Sequence, residues 1–182
     1  DFKKNCRLKT KKDFNFAYDV IDKYVYDFPG KRALVWINDE GEEKTFTFDD
    51  ISKESQKAAN WLVSKGIKKG DTVMLILRRR YEWWILMPAL HRIGAIVIPA
   101  TDQLLQSDIE YRTNAADVKM IISYDNSDIQ TEIEKAMPKS KTVKFLVTVG
   151  KELRDGWESF HDEYEKMSDN FPRPQGEAAT HN

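Results

Sequence analysis

The chain has 182 residues, 41% hydrophobic and 32% charged, with 29 basic and 30 acidic side chains and a net charge of −1. That is enough chain to bury a full core within one domain, and the balanced charge excludes a disordered tail or a general polyanion binder, so no nucleic-acid partner is expected. The single cysteine, Cys6, excludes an internal disulfide and a thiolate zinc cluster, and suits a reducing compartment.

The opening DFKKNCRLKTKK has no apolar signal core, and the acids Asp1 and Asp13 argue against a transit peptide, so a cytoplasmic location is expected. Residues 1–13 read as a mobile arm. From Phe14 the spacing predicts a helix with Phe16, Val20, Tyr24 and Phe28 on one stripe, stopped by Pro29–Gly30. Arg32–Ile37 and Lys44–Phe48 are strand-like runs around the turn-rich NDEGEE, which predicts a β-hairpin. Asp49 or Asp50 can then cap a helix carrying Ile51, Ala58, Ala59 and Leu62, ended by Gly66.

The organising stretch is TVMLILRRRYEWWILMPALHRIGAIVIPA. Two aliphatic runs, Thr72–Leu77 and Ala95–Pro99, enclose a helical segment from Tyr81 to Ile93 that closes on His91–Arg92 and Gly94. This is a βαβ unit. It does not read as a membrane span, because His91–Arg92 cut the run and about 20 uninterrupted apolar residues are needed. A capping box, Ser107 to Glu110, opens the next helix, to about Ala116. Val118–Ser123, a helix from Ser127 to Met137, and Lys144–Val149 follow. Strand starts at 72, 95, 118 and 144 are one βα repeat apart. The expected fold class is therefore α/β: a three-layer, mostly parallel, doubly wound sheet preceded by a hairpin, spanning residues 14–168. DGWESFHDEYEKM is amphipathic, with Trp157, Phe160, Tyr164 and Met167 placed for one face. Residues 169–182 read as a polar linker.

Chemistry is thinly signalled. No GxxxxGK[ST], GxGxxG, GxSxG or HExxH is present. His91, His161 and His181 fall on separate elements, and His91 reads as a helix-terminal residue. Arg78–Arg80 follow a strand's carboxyl end, where open α/β sheets bind ligands, so an anion site and a solvated loop both stay open. Asp125 and Asp128 could hold a metal only if further ligands joined them. A free-standing flavodoxin-like binding or signalling module is the alternative reading. Lys151 would suit a receiver-type site, but Leu77 runs into arginines where acids are wanted.

The run FTFDDISKESQKAANWLVSKGIKKGDTVMLIL resembles the opening signature of the adenylate-forming (AMP-binding) superfamily. The EWW motif, the PxTxQ loop, the SDIEYR helix and RDGWESFHDEYEKMS resemble medium-chain acyl-CoA synthetases, over about Phe14 to Met167. Pro88 and Arg80–Tyr81 depart from the usual pattern. The resemblance implies an ATP-dependent fatty acid–CoA ligase acting through an acyl-adenylate, with ATP, Mg and CoA as cofactors and the remainder of the same polypeptide as partner. It implies that Thr101 and Gln103, at the TxQ positions, contact CoA. It assigns no catalytic or metal-ligating residue to this chain. The family's Ser/Thr/Gly-rich phosphate loop is not among the 182 residues, so the chain alone is expected to be catalytically incomplete and to hold none of the cofactors tightly.

Overall fold

The computed structural model of the chain describes residues 11–176. Cys6, His181 and most of the expected N-terminal arm lie outside the described residues. The first element is a π-helical stretch, Ala17–Asp22, running into α1 (Lys23–Asp27). The expected stripe is not the buried one: Ala17 and Ile21 are buried, while Phe16 and Phe28 are about half exposed. A π-turn bonds i to i+5 and so takes more residues per turn, which rotates the buried face by one position relative to an α-helical reading.

β1 (Arg32–Ile37) and β2 (Glu43–Thr47) form the expected antiparallel hairpin. The residue capping α2 (Phe48–Ser64) is Thr47, not Asp49 or Asp50. Thr47 Oγ1 accepts from the Asp50 N–H at 3.1 Å, and Asp50 accepts from the Thr47 N–H at 2.8 Å, so two orphan donors are satisfied reciprocally.

β3 (Thr72–Ile76), β4 (Ile96–Pro99), β5 (Val118–Tyr124), β6 (Phe145–Val149) and the two-residue β7 (Glu158–Ser159) pair in parallel in the order β4-β3-β5-β6-β7. Because side chains alternate along a strand, β3 serves two cores. Val73, Leu75 and Leu77 join Met120, Ile122, Val147 and Val149 beneath α2, α3 (Trp83–Ile93) and α6 (Phe160–Tyr164). Met74 and Ile76 join Val118 and Ile121 against α4 (Gln106–Ala115) and α5 (Ser127–Ala136). Each such buried aliphatic side chain contributes about 1.5–3 kcal/mol.

Two local expectations are corrected. The Ser107–Glu110 capping box does not form; the N-cap lies two residues earlier, at Leu105, and Asp108 accepts from the Leu105 N–H at 3.2 Å instead. The segment from Trp157 to Met167 is not one amphipathic helix, since Trp157 packs into the α4–α5 core while Phe160, Tyr164 and Met167 pack into the other. A short pairing of Glu158–Ser159 with β6 separates the two. The helix read across Pro88 does form, as α3 from Trp83 to Ile93; the carbonyl that proline deprives of its N–H partner belongs to solvent-facing Trp84.

Candidate functional site

In this strand order the chain leaves β3 toward β4 on one side and returns to β5 on the other. The carboxyl ends of β3 and β5 therefore form the crevice where such sheets bind ligands. Here ion pairs occupy it. Arg80 lies 3.3 Å from Glu82 and 3.5 Å from Asp125. Asp125 in turn accepts from the Lys151 N–H at 2.8 Å. Gly150 lets that approach happen: at φ +140, a Cβ there would stand 2.0 Å from Asp125 Cγ. Glu82, whose side chain is fully buried, also meets His161 Nε2 at 3.0 Å, and His161 Nδ1 lies 3.4 Å from Glu165.

The environment tunes these groups. Burial would push the Glu82 carboxyl up, but the His161 hydrogen bond and the Arg80 charge outweigh it and hold the group below its ordinary value. Burial would likewise lower His161, and the Glu82 hydrogen bond and charge, with Glu165, reverse this and raise it. Tyr81 is pushed up by burial and the neighbouring Glu82 charge.

On the other side of β3 lies an open cleft of about 660 Å³, lined by Arg79, Trp83, Trp84, Pro99 and Thr101 among others. Its loop is held firmly. Arg78 adopts φ +45, a left-handed conformation rare outside glycine, and pairs with Asp102 at 3.3 Å, which also accepts from the Tyr124 hydroxyl at 2.7 Å. Trp36 of the hairpin donates its indole N–H to the Arg79 carbonyl at 2.6 Å. Tyr81 stacks on Phe46 with ring centroids 5.3 Å apart, and Lys44 sits over the same ring. The hairpin thus braces the loop that follows β3.

Thr101 and Gln103 both lie in the loop after β4 and both are exposed. The Gln103 N–H donates to Thr101 Oγ1 at 3.3 Å. They face different hollows: Thr101 borders the Arg79 cleft, and Gln103 borders a groove of about 420 Å³ with Asp102, Asp128 and Glu132. The Gln103 side-chain amide makes no hydrogen bond among the described residues, so it does not brace the loop. Asp125 accepts from the Lys151 N–H while Asp128 borders the Gln103 groove, and no group of three or more His, Cys, Asp or Glu side chains among the described residues could hold a metal. His91 closes α3, where its carbonyl accepts from Asn15 at 2.6 Å. Sequence reasoning missed Glu82, Asp102 and Tyr124. Glu82 was visible as the acid of EWW, but its partner His161 is 79 residues away.

A second polar cluster ties the π-helical stretch and the segment around Arg173 to α3. Arg92, 1% exposed, makes a bidentate pair with Asp22 at 2.6 and 2.9 Å and donates to Ser55 at 3.1 Å. Tyr18 lies between Arg92 and Arg173, and Arg173 pairs with Asp19 at 2.9 Å. Asn60 binds the carbonyls of Ser168 and Asn170, and Phe171 packs on the α2–α3 core.

Comparison with known proteins fixes the family. The chain is 36% identical over 155 residues to the mitochondrial acyl-coenzyme A synthetase ACSM5 of Rattus norvegicus, covering 82% of this chain and 26% of that protein. It is 32% identical over 170 residues to the mitochondrial acyl-coenzyme A synthetase ACSM4 of Homo sapiens, covering 90% and 29% respectively. The chain thus spans between a quarter and a third of the length of these relatives. The anthranilate CoA ligase AuaEII, solved in complex with anthranoyl-AMP, superposes with a TM-score of 0.81 at 21% identity, over 96% of this chain and 32% of that one, a likeness of fold. The mitochondrial names of the relatives overturn the expected cytoplasmic location, which rested only on features lacking from the first dozen residues. No helix among the described residues is long and apolar enough to cross a membrane. With the family model for AMP-binding enzymes matching residues 21–180, the chain belongs to that family.

Proposed function

We propose that this chain is the first sheet subdomain of an ATP-dependent ligase that joins a fatty acid to CoA through an acyl-adenylate. The observation that carries the reading is the family match over residues 21–180, together with relatives named acyl-coenzyme A synthetases at 32–36% identity. Residues 14–168 form the subdomain. Residues 169–182 lead toward the rest of the polypeptide, their start anchored by Asn60 and Phe171.

Gln103 and Thr101 are proposed to meet CoA. The groove beside Gln103 is bordered by three acids, Asp102, Asp128 and Glu132, against one base, Lys135, so it suits the neutral pantetheine arm better than the nucleotide phosphates. An exposed amide can donate to and accept from the pantetheine amides. ATP and Mg supply the adenylation step in the complete enzyme. Aligning a carboxylate with the α-phosphate can account for about 7–11 kcal/mol of a barrier, and the sequence offers none of the phosphate-binding motifs sought above for that alignment. The 182 residues alone are therefore expected to make no acyl-adenylate. A pyrophosphate-release assay with ATP, magnesium and short to medium fatty acids tests both statements. Turnover is expected from the full-length protein and none from the purified chain; an inactive full-length protein would refute the ligase reading, and turnover by the chain would refute its incompleteness.

A further inference from the structure

We propose that Asp102 is a positioning residue: its carboxylate, by gripping Arg78 and Tyr124, holds the loop after β4 in the form that turns Thr101 and Gln103 outward, and so sets the affinity for CoA. The consequence for CoA rests on the proposed contact of Gln103 with CoA; the grip itself does not. Asp102 stands between the two TxQ positions, and exposure alternates along this stretch. Thr101 and Gln103 are exposed, Asp102 is half-buried and Leu104 is buried. With Asp102 and Leu104 turned toward the protein, the side chains that flank Asp102 face solvent.

One carboxylate here reaches three segments. Its Oδ2 takes Arg78 Nε at 3.3 Å, from the loop after β3, and the Tyr124 hydroxyl at 2.7 Å, from the end of β5. Its Oδ1 accepts from the neighbouring Thr101 hydroxyl at 3.4 Å. Hydrogen bonds to an ionised acceptor are the stronger kind. The loop needs such a hold, because β4 is an edge strand that pairs only with β3 and the sheet supports it from one side. Backbone pairing with β3 ends, among the described residues, at the Ala100 N–H to Leu75 carbonyl bond of 2.9 Å. The next anchor is Leu104, packed in the α4–α5 core. Asp102 is the fixed point between those two ends. Its partner Arg78 is at φ +45, a strained conformation of the kind that persists where surrounding contacts over-determine it. A loop ordered in advance loses less freedom when a ligand arrives.

Backbone order parameters from amide NMR relaxation of the intact chain test the grip without ATP or CoA. In the parent the Asp102 and Gln103 amides should be rigid, at about 0.85, and Asp102→Asn should lower them below about 0.6. Arg78→Gln and Tyr124→Phe, which each remove one partner, should lower them in the same direction. Arg79→Gln, whose side chain does not meet Asp102, should leave them unchanged. In the full-length protein, Asp102→Asn and Arg78→Gln should raise the CoA KM at least about threefold, with pyrophosphate release in the absence of CoA unchanged. Added to Gln103→Ala, Asp102→Asn should raise it less than about twofold further, because residues that act through one another are not additive. A loop already mobile in the parent, order unmoved by Asp102→Asn or Arg78→Gln, an equal loss from Arg79→Gln, or a CoA KM raised by Gln103→Ala but not by Asp102→Asn would overturn the proposal. A CoA KM unmoved by Gln103→Ala, with order still lost in Asp102→Asn, would refute the CoA contact while upholding the grip.

Discussion

Replacing Glu82 by glutamine should both destabilise the chain and flatten its pH dependence. The carboxylate is fully buried, with Arg80 at 3.3 Å and His161 at 3.0 Å. Removing one partner of a buried ion pair costs about 3–5 kcal/mol. Here glutamine keeps the volume and one acceptor, Arg80 keeps Asp125 at 3.5 Å, and His161 keeps Glu165 at 3.4 Å. The loss should therefore fall near the strength of one charged hydrogen bond, about 1.5–3 kcal/mol. In urea, at a slope of about 2 kcal/mol/M, that moves the midpoint by about 1 M.

The signs of the pH effect follow from the two shifts. His161 is raised above its ordinary 6.5, so its stabilisation is complete below that pH and fades as pH rises through the higher folded value. Glu82 is held below its ordinary 4.5, so its contribution is complete above that pH and fades as pH falls through the lower folded value. Stability from this pair is therefore greatest between those two values and declines on either side. Urea midpoints measured from pH 5 to 9 should fall above pH 6.5 in the parent chain and much less in Glu82→Gln. A stability loss under about 0.5 kcal/mol with an unchanged pH profile would refute the reasoning.

Arg92→Ala should cost about 3 kcal/mol, the lower part of the range for breaking a buried pair, because Asp22 remains 24% exposed and can take water; urea denaturation measures it, and a loss below 1 kcal/mol would contradict the role given to the pair. Gly150→Ala must displace Asp125, whose Cγ would lie 2.0 Å from the new Cβ, so thermal melting should show a larger loss than for Gly30→Ala, which at φ +72 has open space around it and costs about 1–2 kcal/mol of left-handed strain alone. In the full-length protein, if Gln103 meets CoA as proposed, Gln103→Ala should raise the CoA KM several-fold, the loss of one neutral hydrogen bond of about 0.5–1.5 kcal/mol, with pyrophosphate release in the absence of CoA unchanged. A fall in that half-reaction instead would remove Gln103 from the CoA site.

The sequence by itself determined the α/β alternation, the hairpin and the parallel sheet, because continuous apolar runs such as Val73–Leu77 are stable only when covered on both faces. It also carried the family, through motifs whose order is a property of the chain. The helix starts were less legible. Thr47 displaces Asp49 and Asp50 as the cap of α2, and Leu105 displaces Ser107 at the start of α4, since the choice among adjacent candidates depends on where each chain enters the fold. The N-terminal stripe failed because a π-turn changes the period on which such stripes are read. The candidate site was legible only as the string Arg78–Arg80. Tertiary structure alone decided that Arg78 pairs with Asp102 and Arg80 with Asp125, because those partners arrive on the loops after β4 and β5. Charge pairing between distant segments has no periodicity to betray it; it exists only once parallel strands bring their carboxyl ends to one edge.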